Sequence, residues 1–95
     1  MGQRIDPHDQ ELKALLRFSA GFGGKSVLEV GCGRGRLTRK FGPLAAYVDA
    51  IDPQEEKIQA ALSEPVLPHI HYHQRGLEDF APDRKYDLVL LSWSL

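Results

Sequence analysis

The sequence predicts an α/β fold, a three-layer sandwich around a parallel sheet. Three observations carry that prediction. Short apolar runs alternate with segments of helical spacing, and such alternation produces parallel sheets with crossover connections. Glycines stand at positions 31, 33 and 35, between an apolar run and a helical segment, where the backbone must turn sharply. The last apolar run, Leu88-Val89-Leu90-Leu91, shows no polar alternation. That is the pattern of a parallel strand covered on both faces.

The elements follow in order. Asp6-Pro7 reads as an N-cap with proline at the first helical position. From His8 to about Ser19, Leu12, Leu15 and Leu16 recur at helical spacing, flanked by Phe18, and Gly21, Gly23 and Gly24 end this helix. Ser26 to Val30 is a short buried strand ahead of the glycine loop 31–35. Arg36 to Phe41 starts a helix that Gly42-Pro43 stops. Tyr47 to Ile51 is the second strand. Pro53 begins the next helix, with Ile58, Ala61 and Leu62 on its apolar face and Glu55, Glu56 and Lys57 on its wet one; Pro65 and Pro68 break it. His69 to Gln74 alternates as a third strand. Ala81 to Arg84 is a turn, and Tyr86 to Trp93 is the fourth strand.

Composition narrows the function classes. The chain has 95 residues, 42% hydrophobic and 26% charged, an ordinary globular mix. It reads as a single domain, residues 1–95, with residues 1–24 as an N-terminal helix and glycine-rich connection ahead of a core at 25–95. The net charge of −1 comes from 12 basic and 13 acidic residues. No bulk basic field points to nucleic acid or to an anionic membrane. Cys32 is the one cysteine, which excludes an internal disulfide framework and a cysteine-rich zinc site. No apolar run approaches the roughly 20 residues of a membrane span. No signal-peptide pattern opens the chain, and Asp6 stands where myristoylation after Gly2 needs Ser or Thr. The expected compartment is the cytoplasm.

The glycine loop carries the chemistry. Alternate glycines let a ligand lie against main chain where a Cβ would collide. The helix that follows offers free N–H groups and a partial positive end. Two ligand classes use this design. A dinucleotide such as NAD wants G-x-G-x-x-G or A, but that third position is Arg36. The pattern here is G-x-G-x-G, with Glu29 two residues before Gly31. Asp52 stands 21 residues after Gly31, where a carboxylate can accept hydrogen bonds from both ribose hydroxyls. That feature suits either ligand, and Asp52 before Pro53 is also a good helix N-cap.

Glu29-Val30-Gly31-Cys32-Gly33-Arg34-Gly35 resembles the first motif of class I S-adenosylmethionine-dependent methyltransferases. Asp52, Gly76-Leu77-Glu78-Asp79-Phe80 and Tyr86-Asp87-Leu88-Val89 resemble later segments of that family, so the likeness covers Lys25 to Leu95. The resemblance implies a Rossmann-like sheet in the order 3-2-1-4, with the donor at the carboxyl ends of strands 1 and 4. It implies S-adenosylmethionine or S-adenosylhomocysteine as cofactor. Glu29 would orient the donor's amino group through the loop, and Gly31, Cys32, Gly33 and Gly35 would form that loop. Asp52 would hold the ribose, Pro53 would pack on adenine, and Leu77 and Glu78 would flank and bond it. Ser92 would face the methionine end. A narrower likeness is to protein α-N-terminal methyltransferases, through Gly33-Arg34-Gly35-Arg36-Leu37-Thr38-Arg39, Gly76 to Phe80 and Ser92-Trp93. There an arginine in the place of Arg36 binds the donor's carboxylate, which suits a guanidinium. The chemistry implied is in-line displacement at a sulfonium methyl, mainly a matter of positioning, so no catalytic residue is assigned.

Other readings stand beside these. A non-catalytic module for NAD or another adenosine nucleotide fits the glycine loop as well. Glu78 also suits a solvated loop. His69, His71 and His73 share a face at period two, but no acid or cysteine joins them, and no metal site is assigned. Complete domains of the resembling family continue past the fourth strand. The chain is therefore expected to be the donor-binding half of such a domain, truncated after strand 4 and possessing an apolar edge that invites pairing. A homodimer or larger oligomer through strand 4 is the expected association. The methyl acceptor, small molecule or peptide, is left open.

Overall fold

The computed structural model describes residues 19–82 and 84–92. The N-terminal helix expected from Asp6-Pro7 onward lies outside the described residues up to Phe18, as do Asp83 of the expected turn and Trp93. The elements, in order, are α1 (Ser19–Phe22), β1 (Ser26–Val30), α2 (Thr38–Phe41), a 3-10 turn (Gly42–Leu44), β2 (Tyr47–Asp52), α3 (Glu55–Leu62), β3 (Ile70–Gln74), a second 3-10 turn (Leu77–Asp79) and β4 (Leu88–Leu91). The sheet is parallel throughout, in the order β3-β2-β1-β4. This is the expected α/β order.

Boundaries moved for identifiable reasons. Helix α1 runs past Gly21 to Phe22, because Phe22 is buried against the Phe41 ring at 5.1 Å between centroids. The chain then turns at Gly24, which has φ of +69°. Helix α2 begins at Thr38 rather than Arg36, since residues 31–37 are spent on the loop. At four residues it has no stability of its own and is held by packing of Phe41 and Thr38, both buried. Helix α3 begins at Glu55, with Gln54 as its extended N-cap, so neither Asp52 nor Pro53 starts it as expected. Instead the Gln54 N–H donates to Asp52 Oδ1 at 2.9 Å, a local turn that puts the carboxylate one step before the helix. Strand β2 gains Asp52, and β3 loses His69, whose Nε2 bonds the Gly42 carbonyl at 2.8 Å.

The two faces of the sheet differ. Val27, Val48, Ala50 and Ile70 point to one face and meet Phe22, Phe41 and Ile58 from the helices, with Cys32 and Ala45. Leu28, Val30 and Ile51 point to the other and meet Phe80 and Tyr86. Among the described residues, that second face is covered by Phe80 and Tyr86 rather than by a helix. Val89 and Leu91 of β4 lie on it 60% and 53% exposed. The apolar run of β4 was expected to be covered on both faces; among the described residues, Phe80 and Tyr86 cover β1 and β2 and leave Val89 and Leu91 exposed.

Buried polar groups tie this second face together. Asp49, 4% exposed, accepts hydrogen bonds from Tyr47 at 3.1 Å, Tyr86 at 2.5 Å and His73 at 2.8 Å. Arg84 stacks over the Tyr47 ring, its Cζ 3.4 Å from the centroid. Asp87 fixes β4 beside β1, exchanging bonds with the Ser26 backbone at 2.8 and 2.9 Å.

Candidate functional site

The site forms at the carboxyl ends of β1, β2 and β3. Parallel strands there leave a crevice where loops diverge, the usual ligand position in open α/β sheets. A cavity of about 270 Å³ lies there, lined by Val30, Gly31, Ile51, Asp52, Pro53, Gln54, Lys57, Arg75, Gly76, Leu77 and Glu78. The structure thus brings together five expected residues: Gly31, Asp52, Pro53, Leu77 and Glu78. Lys57 and Arg75 were not anticipated at this cavity; Lys57 was read on the wet face of its helix, and Arg75 follows the expected end of the third strand at Gln74.

The glycine loop is bonded to β2 at several points. The N–H groups of Gly31 and Cys32 both donate to the Ile51 carbonyl, at 2.9 and 3.0 Å. The Gly33 N–H donates to Asp52 Oδ2 at 3.0 Å. Asp52 therefore spends one lone pair of each oxygen on main chain, at Gly33 and Gln54, and holds the loop and the start of the next connection in fixed relation. Each carboxylate oxygen has further acceptor capacity.

The three loop glycines do different things. All have left-handed φ, at +81°, +59° and +82° for Gly31, Gly33 and Gly35. A Cβ on Gly33 would meet open space, whereas one on Gly35 would lie 2.5 Å from the Tyr72 hydroxyl. Cys32 is buried among core side chains, and its N–H is already used by Ile51. Burial pushes its thiol well above the usual range, and the charges of Glu29 and Asp52 push the same way. It is not a nucleophile in this setting.

Glu29 is fully buried on β1. Its two oxygens accept hydrogen bonds from Thr38 at the start of α2 and from Ser92 just after β4. A buried carboxylate needs such partners, and here they join three segments around the loop. Ser92 is thus beside the site through Glu29. Arg36 is exposed, on the loop's outgoing arm, and is not among the residues lining the cavity. The three histidines are separately engaged: His69 with Gly42, His71 with the Tyr47 ring at 4.9 Å, and His73 with Asp49. Sequence reasoning missed Thr38 and Tyr72 as members of the site. For Thr38 the signal was a threonine inside an otherwise basic helix start; nothing local in the sequence marks Tyr72.

Residues 27–95 match the family model described as a methyltransferase domain. The chain belongs to the methyltransferase domain family. Among curated relatives, this methyltransferase domain is 37% identical over 93 residues to the human mitochondrial ubiquinone biosynthesis O-methyltransferase, covering 90% of this chain and 23% of that protein. It is 36% identical over 70 residues to the ubiquinone biosynthesis O-methyltransferase of Bradyrhizobium diazoefficiens, covering 72% of this chain and 28% of that protein. The chain thus spans about a quarter of the length of these curated relatives. Among solved structures, the N-methyltransferase NodS from Bradyrhizobium japonicum WM9, in complex with S-adenosylhomocysteine, superposes with a TM-score of 0.73 at 28% identity. That match covers 88% of this chain and 44% of NodS. The Rossmann-like methyltransferase fold read from the glycine loop is therefore present. Among the described residues, no helix is long and apolar enough to cross a membrane.

Proposed function

We propose that this chain binds S-adenosylmethionine and is the donor-binding half of an S-adenosylmethionine-dependent methyltransferase. The observation that carries the reading is Asp52. Its buried carboxylate is locked by Gly33 and Gln54 at the wall of a cavity formed by Gly31, Pro53, Leu77 and Glu78. The cavity is smaller than the roughly 300–1,000 Å³ that encloses a drug-sized ligand. It suits the nucleoside end of the donor, with the remainder lying along the glycine loop, where Gly33 leaves its Cβ direction open. Asp52 would accept the ribose hydroxyls. Pro53 and Leu77 would flank the base and Glu78 would accept from it. Glu29, anchored by Thr38 and Ser92, would fix the loop at the amino-acid end, and Arg36 would take the carboxylate. When bound, the donor supplies an electrophilic sulfonium methyl; the chain's residues orient it and keep the loop rigid.

The same proposal includes a cytoplasmic protein and association through β4. Val89 and Leu91 are exposed on a strand at the sheet edge, and such edges template pairing with another chain. Thermal unfolding with saturating S-adenosylhomocysteine tests the donor reading. A raised midpoint supports it. An unchanged midpoint with S-adenosylhomocysteine, together with a raised one with NAD, replaces it with a dinucleotide module.

A further inference from the structure

One wall of the donor cavity is held from the second face of the sheet. In the β2–β3 register His73 lies opposite Ile51, and Asp49 lies opposite His71. His73 therefore reaches back along that face to Asp49, its Nε2 2.8 Å from Oδ1. Asp49 is buried, and its hydrogen bonds hold its carboxyl below the usual range. An ionised carboxylate only accepts, so the His73 Nε2 carries the proton and donates. Breaking such a bond leaves a buried charge short of a partner, which makes the anchor firm.

The anchored ring is also a platform. Phe80 packs on it at 5.2 Å between centroids and lies against Leu28, Val30 and Ile51. Between His73 and Phe80 run Arg75, Gly76, Leu77 and Glu78, all of which line the donor cavity. This run is bonded to itself. The Arg75 N–H donates to the His73 carbonyl at 3.0 Å, Asp79 to Gly76 at 3.1 Å and Phe80 to Leu77 at 3.3 Å. Gly76 links the run's backbone to its one cavity carboxylate. It is buried, with an ordinary extended φ of −82°, so its conformation does not call for glycine. Its neighbour does: a Cβ on Gly76 would collide with the Glu78 carboxylate. That carboxylate lies folded against the Gly76 backbone, so where the run is held, the carboxylate is held.

We infer that His73 is a positioning residue for the base end of the donor site: anchored on Asp49 and packed on Phe80, it sets where Gly76 places the Glu78 carboxylate. The consequence rests on the donor-binding reading, in which Glu78 accepts from the base. It is selectivity for a purine with a 6-amino group, a donor, over one with a 6-oxo group, an acceptor. Tyr86 supplies a control. It bonds the same Asp49 carboxylate at 2.5 Å but lies outside the run from His73 to Phe80.

Two measurements on the 95-residue chain test the inference. The first is calorimetric titration with S-adenosylhomocysteine and with its 6-oxo analogue, S-inosylhomocysteine. Wild type is expected to prefer the 6-amino ligand by about tenfold or more, the scale of a hydrogen bond to a charged group. His73→Phe keeps a ring for Phe80 and removes the donor to Asp49. It is expected to lose most of that preference by weakening S-adenosylhomocysteine alone. Phe80→Leu breaks the ring contact from the other side and is expected to lower the preference likewise. Tyr86→Phe is expected to keep it. Full preference in His73→Phe or Phe80→Leu, or an equal loss in Tyr86→Phe, overturns the inference, as does a wild type that binds both ligands equally. The second is amide hydrogen exchange without ligand, which reads local opening. His73→Phe is expected to speed exchange at Arg75, Asp79 and Phe80 and to leave the β1 amides slow, whereas Tyr86→Phe leaves all of them slow. Unchanged exchange at those three amides in His73→Phe overturns the anchor. A wild-type chain that binds neither ligand refutes the donor reading instead, and the exchange pattern then decides the anchor by itself.

Discussion

At the scale of single residues, the site depends on carboxylates whose burial is answered by donors. Asp52 joins the glycine loop to the turn before α3. Asp52→Ala is expected to weaken S-adenosylhomocysteine by about 10- to 100-fold, as charge-assisted bonds are lost, read by calorimetry. Arg36→Ala is expected to weaken S-adenosylhomocysteine but not adenosine, which has no carboxylate; equal losses for both would remove Arg36 from its role. Asp49 answers to pH. Burial pushes its carboxyl up, but bonds from Tyr86, His73 and Tyr47 outweigh this and hold it below the usual range. Its contribution to stability is thus complete above about pH 4, the unfolded value. It is lost as pH falls through the lower folded value. Asp49→Asn should be less stable at neutral pH and should show a flatter loss of stability below pH 4, measured by urea unfolding across that range. Cys32, held protonated by burial, should react with a thiol reagent at pH 8 only after unfolding; prompt labelling of the native chain would contradict its placement in the core.

At the scale of elements, stability comes from packing rather than propensity. Helix α2 has four residues and α3 eight, both short of what stands alone in water. Ile58 anchors α3 to the core at 5% exposure. Ile58→Ala should cost about 2–5 kcal/mol, read from chemical denaturation. The strands were legible in the sequence because three largely apolar runs and one alternating segment, His69 to Gln74, are interleaved with helical spacing, and the glycine loop was legible because alternate glycines suit left-handed backbone. The ends of elements were not. Asp52 and Pro53 carry a strong helix-start signal, yet the Asp52 side chain is used by Gly33 and Gln54, so the helix waits until Glu55. The 3-10 turn at Leu77–Asp79 read as loop, because three residues leave no periodicity. Tyr72 escaped because its approach to Gly35 depends on strand register, and no local pattern announces which residue lies two strands away.

At the scale of the whole molecule, two faces of one sheet have unequal cover. Among the described residues, helices and Cys32 close one face, and Phe80 and Tyr86 close part of the other. Exposed Val89 and Leu91 on edge strand β4 are the basis for expecting association. Wild type should sediment as a dimer or larger at micromolar concentration. Val89→Lys should sediment as a monomer, since edge lysines block pairing, with an unfolding midpoint that no longer depends on protein concentration; a monomeric wild type would end that expectation. Donor binding by the whole domain turns on one ligand. The most direct test is calorimetric titration of the wild-type chain with S-adenosylhomocysteine and, separately, with NAD. Saturable one-to-one heat is expected with S-adenosylhomocysteine and none with NAD. No heat with S-adenosylhomocysteine and saturable binding of NAD would contradict it.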